Sequence, residues 1–303
     1  MKTLTIFTPA YNRAYCLDRC YKALKRQTNK DFDWLIIDDG STDKTMDIIR
    51  KYSSLYNVDY YCDYNLKSAK SFMHLLNNCD KKYDYYAFCD QDDVWDKDKL
   101  SIAIQKLKKI DIPALYCSNS ELVDSRLKPL GRTLYSSNIP INFKRVLLAG
   151  EVQGATMVMN SALINYFNNK PIPKYLPMHD YYVAAVCGAI GGEYIFDFNS
   201  HMKYRQHELN VLGVSTSFKD RVKRNLNRML KKNNFSDLER FSQQILADYI
   251  NVIPKENVIF LEQVSTYKTS FYKRFKLACL SQLKFGKLSQ EITYRLSILL
   301  GKL

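Results

Sequence analysis

An α/β fold built on a largely parallel sheet is what this 303-residue sequence predicts, and two observations predict it. Short β-rich runs alternate with helical patterns through the first half of the chain, which is the βαβ rhythm. Three of those runs end in polar, turn-forming segments, and sheets of this kind bind ligands beyond the carboxyl ends of their strands.

The elements follow in order. Residues 4–8 form a strand that leads into a helix over about 15–27. Trp34-Leu35-Ile36-Ile37 reads as a buried strand, with a helix opening near Thr42-Asp43, and residues 58–62 as a further strand. A helix over 71–79, a strand over 85–89, a helix over about 97–109 and a strand over 114–117 continue the series. The pattern then becomes irregular up to about residue 213. From 218 onward it is helical and basic, with Val222, Leu226, Met229 and Leu230 spaced i, i+4, i+7 and i+8. A second amphipathic stretch, 271–285, puts Phe271, Phe275 and Ala278 on one face among Lys273, Arg274, Lys276 and Lys284. The expected organisation is a catalytic α/β domain over 1–215 and a basic helical extension over 216–303.

Composition narrows the class. With 46% hydrophobic and 25% charged residues, ten Gly and eight Pro, the chain is neither collagenous, low-complexity nor disordered. Its longest apolar stretch, about 183–190, is far short of the roughly 20 residues that cross a bilayer. The first residues lack the zones of a signal peptide, so a cytoplasmic protein is expected, peripheral at most on the inner face of the membrane. Eight cysteines without a CxxC pair read as buried thiols in a reducing compartment. From Lys219 onward there are 17 Lys and Arg against 7 Asp and Glu, a net +10 out of the whole chain's +14. A basic appendage on a nearly neutral body points to an anionic partner, either membrane lipid or nucleic acid.

The three strand ends share a chemical character. The first, Thr8-Pro9-Ala10-Tyr11-Asn12-Arg13, offers a hydroxyl, an aromatic ring and a guanidinium suited to a nucleoside diphosphate. The second, Asp38-Asp39-Gly40-Ser41-Thr42-Asp43, offers a carboxylate to a base or ribose; alone such a segment is more often just a turn and helix cap, and its position beside the first motif favours the ligand reading. The third, Asp90-Gln91-Asp92-Asp93-Val94-Trp95, sets three carboxylates within four residues after an apolar strand. Such crowding raises carboxyl pKa values unless a cation intervenes, and a few hard oxygen ligands suit Mg²⁺ or Mn²⁺. A solvated acidic turn is the plain alternative.

Together these motifs resemble glycosyltransferase family 2, the inverting nucleotide-sugar enzymes of GT-A fold, over roughly residues 1–213. The Asp90–Trp95 variant, with His179-Asp180-Tyr181-Tyr182 and Tyr204-Arg205-Gln206-His207, is similar to the rhamnosyltransferase-like branch of bacterial surface polysaccharide synthesis. The resemblance implies that Thr8, Pro9, Tyr11, Arg13, Asp38, Asp39, Asp90 and Gln91 hold a UDP- or dTDP-sugar. It implies a cation at Asp90 and Asp92, with His207 as a further metal or acceptor contact or simply a loop histidine. It also implies Asp180 as the base that takes the acceptor proton, where the bare residue reads as a helix cap. Asp93, Trp95, Gln153, Gly154, His179 and Arg205 are then acceptor or supporting residues. The family often carries an acidic pair where this chain has His179-Asp180, leaving Asp180 as the carboxylate there.

The acceptor expected from the resemblance is a lipid-linked saccharide. The basic tail then serves either as an anchor to an anionic leaflet or as a helical cap on the catalytic domain. No nucleic-acid partner is expected, because the tail has no RNP-like signature. Two rivals remain at this point: a nucleotidyltransferase, which calls for a Gly-rich basic loop where Thr8-Pro9-Ala10-Tyr11 stands, and a non-catalytic basic scaffold.

Overall fold

The computed structural model describes residues 3–55, 58–62, 64–80, 82–92, 94–138, 140–150, 152–206, 237–280 and 288–302. In chain order these form β1 (Leu4–Ala10), α1 (Ala14–Lys25), β2 (Phe32–Asp38), α2 (Thr45–Leu55), β3 (Val58–Cys62), α3 (Ser68–Asn78) and β4 (Tyr85–Phe88). There follow β5 (Val94–Trp95), α4 (Lys99–Leu107), β6 (Ala114–Val123), β7 (Pro129–Thr133), α5 (Phe143–Ala149), β8 (Val158–Asn160) and α6 (Ser161–Ile164). Last come α7 (His179–Ala189), β9 (Glu193–Arg205), α8 (Leu238–Tyr249), α9 (Lys255–Ser265), α10 (Phe271–Ala278) and α11 (Leu288–Leu299).

The strands make one sheet in the order β3-β2-β1-β4-β8-β6-β9-β5, with β7 paired to β6. The first four in space are parallel, as the βαβ rhythm requires. Beyond them β8 runs antiparallel between β4 and β6, and β6 and β9 are again parallel. Neighbouring residues of each strand point to opposite faces, so Ile6, Ile36, Ala87 and Tyr116 face one core and Phe7, Ile37, Phe88 and Leu115 the other. The first core is closed by Leu17 and Leu24 of α1, Ile49 of α2 and Leu100 of α4. The second is closed by Phe72 of α3, Leu147 of α5 and Val183 and Val186 of α7.

Helices α8–α11 pack into that second core through Phe241, Ile245, Phe260, Val264, Leu277 and Ile298, and Phe241 lies 4.5 Å from the Tyr181 ring of α7. The described part of the basic extension therefore caps the α7 side of the sheet. The expected boundary at 215/216 and the amphipathic run 222–230 lie outside the described residues.

Two local expectations need correction. β6 continues to Val123 instead of ending at Cys117, because Ser118, Asn119 and Ser120, which look like loop residues, are buried against β9. Their polar groups are satisfied inside: Asn119 Nδ2 donates to Tyr135 O, and its Oδ1 accepts from the Ser120 and Tyr135 backbone. The register with β9 shifts there, marking bulges that bend the strand beside the site. Among the cysteines, six are buried thiols, but Cys62 and Cys279 are exposed. No helix among the described residues is long and apolar enough to cross a membrane.

Candidate active site

The ends of β1 and β2 are stitched into one unit by Asn12, a residue the motif reading passed over. It adopts φ +48, a left-handed conformation that Asn tolerates better than most residues. From there its Oδ1 accepts the Thr42 and Asp43 N–H groups at 2.8 and 3.3 Å, and its own N–H donates to Ser41 Oγ at 3.0 Å. Asp43 returns the tie by accepting Ala14 N–H at 3.2 Å, while Arg13 N–H donates to Thr45 Oγ1 at 3.0 Å. Only the TPAYNR string itself hinted at Asn12, since its partners lie about 30 residues away in the chain.

The two carboxylates at the end of β2 are not equivalent. Asp39 is used up by the fold, with Oδ1 and Oδ2 accepting the backbone N–H groups of Leu66 and Lys67 at 2.7 and 3.0 Å. Asp38 accepts Ser41 N–H through Oδ2 at 3.0 Å, while its buried Oδ1 has no partner among the described residues. A buried acceptor left open is costly unless a ligand donor meets it. Thr8 is fully buried, and its hydroxyl accepts the Trp34 indole N–H at 2.8 Å. Pro9 is buried in β1 as well. Tyr11 is 42% exposed and donates its N–H to Gln91 Oε1 at 3.1 Å, joining the first strand end to the third.

Beyond β4, Asp90 is half-buried and its carboxyl accepts no hydrogen bond among the described residues. Burial, reinforced by the negative charges of Asp92 and Asp180, pushes it up to about 7. Asp180 arrives from a distant part of the chain, in the first turn of α7 after the extended Met178. Its Oδ1 accepts Tyr181 N–H at 2.8 Å and its Oδ2 accepts Gly154 N–H at 2.9 Å. A Cβ on Gly154 would stand 2.9 Å from both Asp180 Cβ and His179 Nε2, so only glycine permits this approach.

Supporting groups surround Asp180. The side-chain oxygen of Gln153 accepts from Ser120 Oγ, while its buried Nε2 has no partner among the described residues. His179 is buried, stacked 3.9 Å from the Phe72 ring and edge-on to Phe88, with both ring nitrogens unpartnered among the described residues. Burial holds its pKa down to about 4, against the pull of Asp180, so it is a neutral imidazole at physiological pH. Buried Arg205 clamps the acidic turn from β9: Nε donates to Asp92 O at 3.1 Å and Nη1 to Ser125 O at 2.6 Å. Trp95 is buried, with Lys99 Nζ 3.5 Å from the centre of its ring. Asp93 and His207 lie outside the described residues.

Among the described residues no group of three or more His, Cys, Asp or Glu side chains forms a metal cage. Mg²⁺ and Mn²⁺ at a diphosphate need fewer, since one or two carboxylates suffice when waters and substrate phosphates complete the sphere. Asp90 and Asp92 fit that donor set, because a cation would relieve the burial and repulsion that now raise the Asp90 carboxyl. A separate cleft of about 390 Å³ lies between α3, residues 167–174, α7 and α8, and none of these carboxylates lines it.

The mostly parallel sheet flanked by helices, with polar loops and an acidic turn beyond its strand ends, has the GT-A architecture. Residues 5–167 match Glycosyl transferase family 2, over half of the chain, and the protein belongs to that family. It is 28% identical over 228 residues to the dTDP-rhamnosyl transferase RfbG of Shigella flexneri, covering 71% of this chain and 76% of that one. It is 25% identical, over 69% of this chain and 85% of the relative, to the Escherichia coli UDP-Glc:alpha-D-GlcNAc-diphosphoundecaprenol beta-1,3-glucosyltransferase WfgD. The structure of Staphylococcus aureus TarS 1-349 with UDP-GlcNAc superposes with a TM-score of 0.59 at 17% identity, covering 99% of this chain and 82% of that one. At that identity the superposition speaks for the fold alone.

Proposed function

We propose that the protein moves a sugar of the rhamnose, galactose, glucose or N-acetylhexosamine class from a UDP- or dTDP-sugar to a lipid-linked saccharide, with inversion, in bacterial capsule or cell-wall polysaccharide synthesis. The similarity to RfbG and WfgD, which bear dTDP-rhamnosyl and UDP-glucosyl names, supports the rhamnose and glucose members of this range and the two nucleotides. One observation carries the reading: Asp180, from α7, is held by Gly154 in the electrostatic neighbourhood of Asp90 beyond β4. The catalytic domain is 1–215 and the basic extension 216–303.

In this reading Asp38 Oδ1 accepts a hydrogen bond from the nucleoside, and Tyr11 and Arg13 line the same loop unit. Gln91 keeps the first and third strand ends together through Tyr11. Asp39, Thr8 and Pro9 shape the donor site from behind. Asp90 and Asp92 hold Mn²⁺ or Mg²⁺, with His207 as a further candidate. When bound, the cation neutralises charge on the departing nucleoside diphosphate.

Asp180 takes the proton of the acceptor hydroxyl as its oxygen attacks the anomeric carbon from the face opposite the diphosphate. The new glycosidic bond forms as the old C–O bond breaks, and the electron pair leaves with the phosphate. The backbone hydrogen bonds to Asp180 fix its carboxylate plane and leave one lone pair on each oxygen for that proton. The unpartnered Gln153 Nε2 and His179 nitrogens supply polar contacts for a sugar.

The test is calorimetric titration with UDP, dTDP, GDP and ADP, each with and without Mn²⁺. Metal-dependent binding of one pyrimidine diphosphate is expected. Folded protein that binds none of the four overturns the donor site. No observation favours the scaffold or nucleotidyltransferase readings.

A further inference from the structure

Helices α10 and α11 form an antiparallel pair locked by reciprocal arginine contacts. Arg274 Nη1 of α10 donates to Leu299 O at the end of α11, at 3.0 Å. Arg295 of α11 donates to Ala278 O and, at 3.2 Å, to Leu280 O at the end of α10. Each guanidinium thus meets the negative end of the other helix's dipole. The pairings 274 with 299 and 278 with 295 set one antiparallel register.

The inner side of this pair is accounted for. Leu277 and Ala278 of α10 and Ile298 of α11 are buried in the core shared with α7 to α9, so Ala278, which the spacing sets on one face with Phe271 and Phe275, is the end of that stripe that the core covers while the two rings stay exposed. The outer side is apolar where a solvated helix face is normally polar. Phe271, Tyr272 and Phe275 on α10 and Ile292, Leu296 and Leu300 on α11 are between 45% and 72% exposed. Ile292, Leu296 and Leu300 follow i, i+4, i+8 and form one stripe, and Phe271 and Phe275 form another at i, i+4. The register brings Phe271 and Phe275 alongside the Leu296–Leu300 end of α11.

Charge selects the occupant. From Lys268 to the end of the chain there are eight Lys and Arg and a single acidic residue, Glu291. Lys273 and Lys276 flank the aromatic side chains and are exposed themselves. A second copy of the chain would bring like charge against like charge. Exposed aromatic and aliphatic side chains ringed by cations are instead the composition that enters the headgroup boundary of an anionic bilayer.

We infer that the outer face of the α10–α11 pair docks on an anionic lipid surface, with Phe271, Tyr272, Phe275, Leu296 and Leu300 entering the interface and Lys273 and Lys276 meeting the phosphates. This deepens the lipid-linked acceptor reading by naming the face through which the protein meets the acceptor's membrane. Docking itself requires no turnover, so the two stand or fall separately.

The test is co-sedimentation of the full chain with vesicles of pure phosphatidylcholine and of phosphatidylcholine mixed with phosphatidylglycerol. Binding to the anionic vesicles alone, weakened by salt, is expected. The combined Phe271→Ser, Tyr272→Ser, Phe275→Ser variant should lose about tenfold or more of that partitioning, and Lys273→Glu with Lys276→Glu should lose it as well. These side chains are exposed, so circular dichroism and nucleotide titration should match the parent. Absent or lipid-independent binding, or full binding by the aromatic variant, overturns the inference. So does a concentration-dependent dimer that the same substitutions abolish. Transfer to a detergent-soluble acceptor reports the proposed activity independently: variants that lose vesicles but keep this transfer leave that function standing.

Discussion

The backbone N–H of Gly154 donates to Asp180 Oδ2 at 2.9 Å across 26 residues of sequence, and Gly154 has no side chain because Asp180 and His179 fill its place. The turn holding Gly154 precedes β8, and Asp180 opens α7, so this contact links the middle of the sheet to the helix that carries the proposed base.

Gly154→Ala adds a methyl 2.9 Å from Asp180 Cβ and must push the carboxylate aside. Displacements of that size cost about 10²-fold in rate when a reacting group is misaligned. The expected result is a kcat lowered by about two orders of magnitude with nucleotide affinity little changed. Asp180→Asn should remove nearly all transfer with the same unchanged affinity; turnover kinetics beside calorimetry separate the two quantities, and a turnover retained by Asp180→Asn removes it as the base.

Asp38 and Asp39 should answer oppositely to truncation. Asp38→Ala removes the open buried acceptor together with its one hydrogen bond from Ser41 N–H, and is expected to weaken nucleotide binding at a smaller stability cost than Asp39→Ala. Asp39→Ala leaves the Leu66 and Lys67 N–H groups without their carboxylate and should cost about 2–3 kcal/mol of stability. Denaturant titration and nucleotide calorimetry on both variants would show the split, and equal behaviour would refute it.

Asp90 makes the metal-free protein sensitive to pH. Its carboxyl titrates near 7 when folded, against about 4 in an unfolded chain, so the native state binds the extra proton between those values. Stability therefore falls as pH rises from 4 through 7, and the penalty is complete above 7. Asp90→Asn should raise stability at pH 8 by on the order of 2 kcal/mol, seen as a higher Tm, and change it little at pH 5. Mn²⁺ should stabilise the parent at pH 8 and the variant much less, as differential scanning calorimetry would record.

Arg205 ties the acidic turn to the loop after β6 through two separately directed N–H groups, Nε to Asp92 O and Nη1 to Ser125 O. Arg205→Lys cannot reproduce that fork, so both Arg205→Lys and Arg205→Ala should weaken Mn²⁺-dependent nucleotide binding by about tenfold or more. Full affinity in the lysine variant would mean that charge alone suffices.

The alternation of strands and helices was legible because each periodicity is local. β3 occupies the five residues that its β-rich run marks, and α1, β2 and α4 fall within a few residues of their patterns. The acidic and turn-forming strand ends were legible because such residues rarely follow apolar runs without a cap or ligand to serve. The burial of Ser118, Asn119 and Ser120 was not, since polar residues enter a core only where distant partners, here Tyr135 and β9, satisfy them. Asn12, Gly154 and the division of labour between Asp38 and Asp39 were hidden for a related reason. Their partners are backbone N–H groups, which every residue type but proline carries and no motif records.

By itself the sequence determined the α/β class, the three polar, turn-forming strand ends and the basic character of the last 85 residues, all of which rest on residue type and short-range spacing. Only the tertiary structure decided which carboxylates are spent on the fold and which stay open, that Gly154 holds Asp180 near Asp90, and that α10 and α11 turn an apolar face outward. Those outcomes depend on which distant segments pack together, and chain reversal through a sheet brings residues into contact that no local pattern can pair.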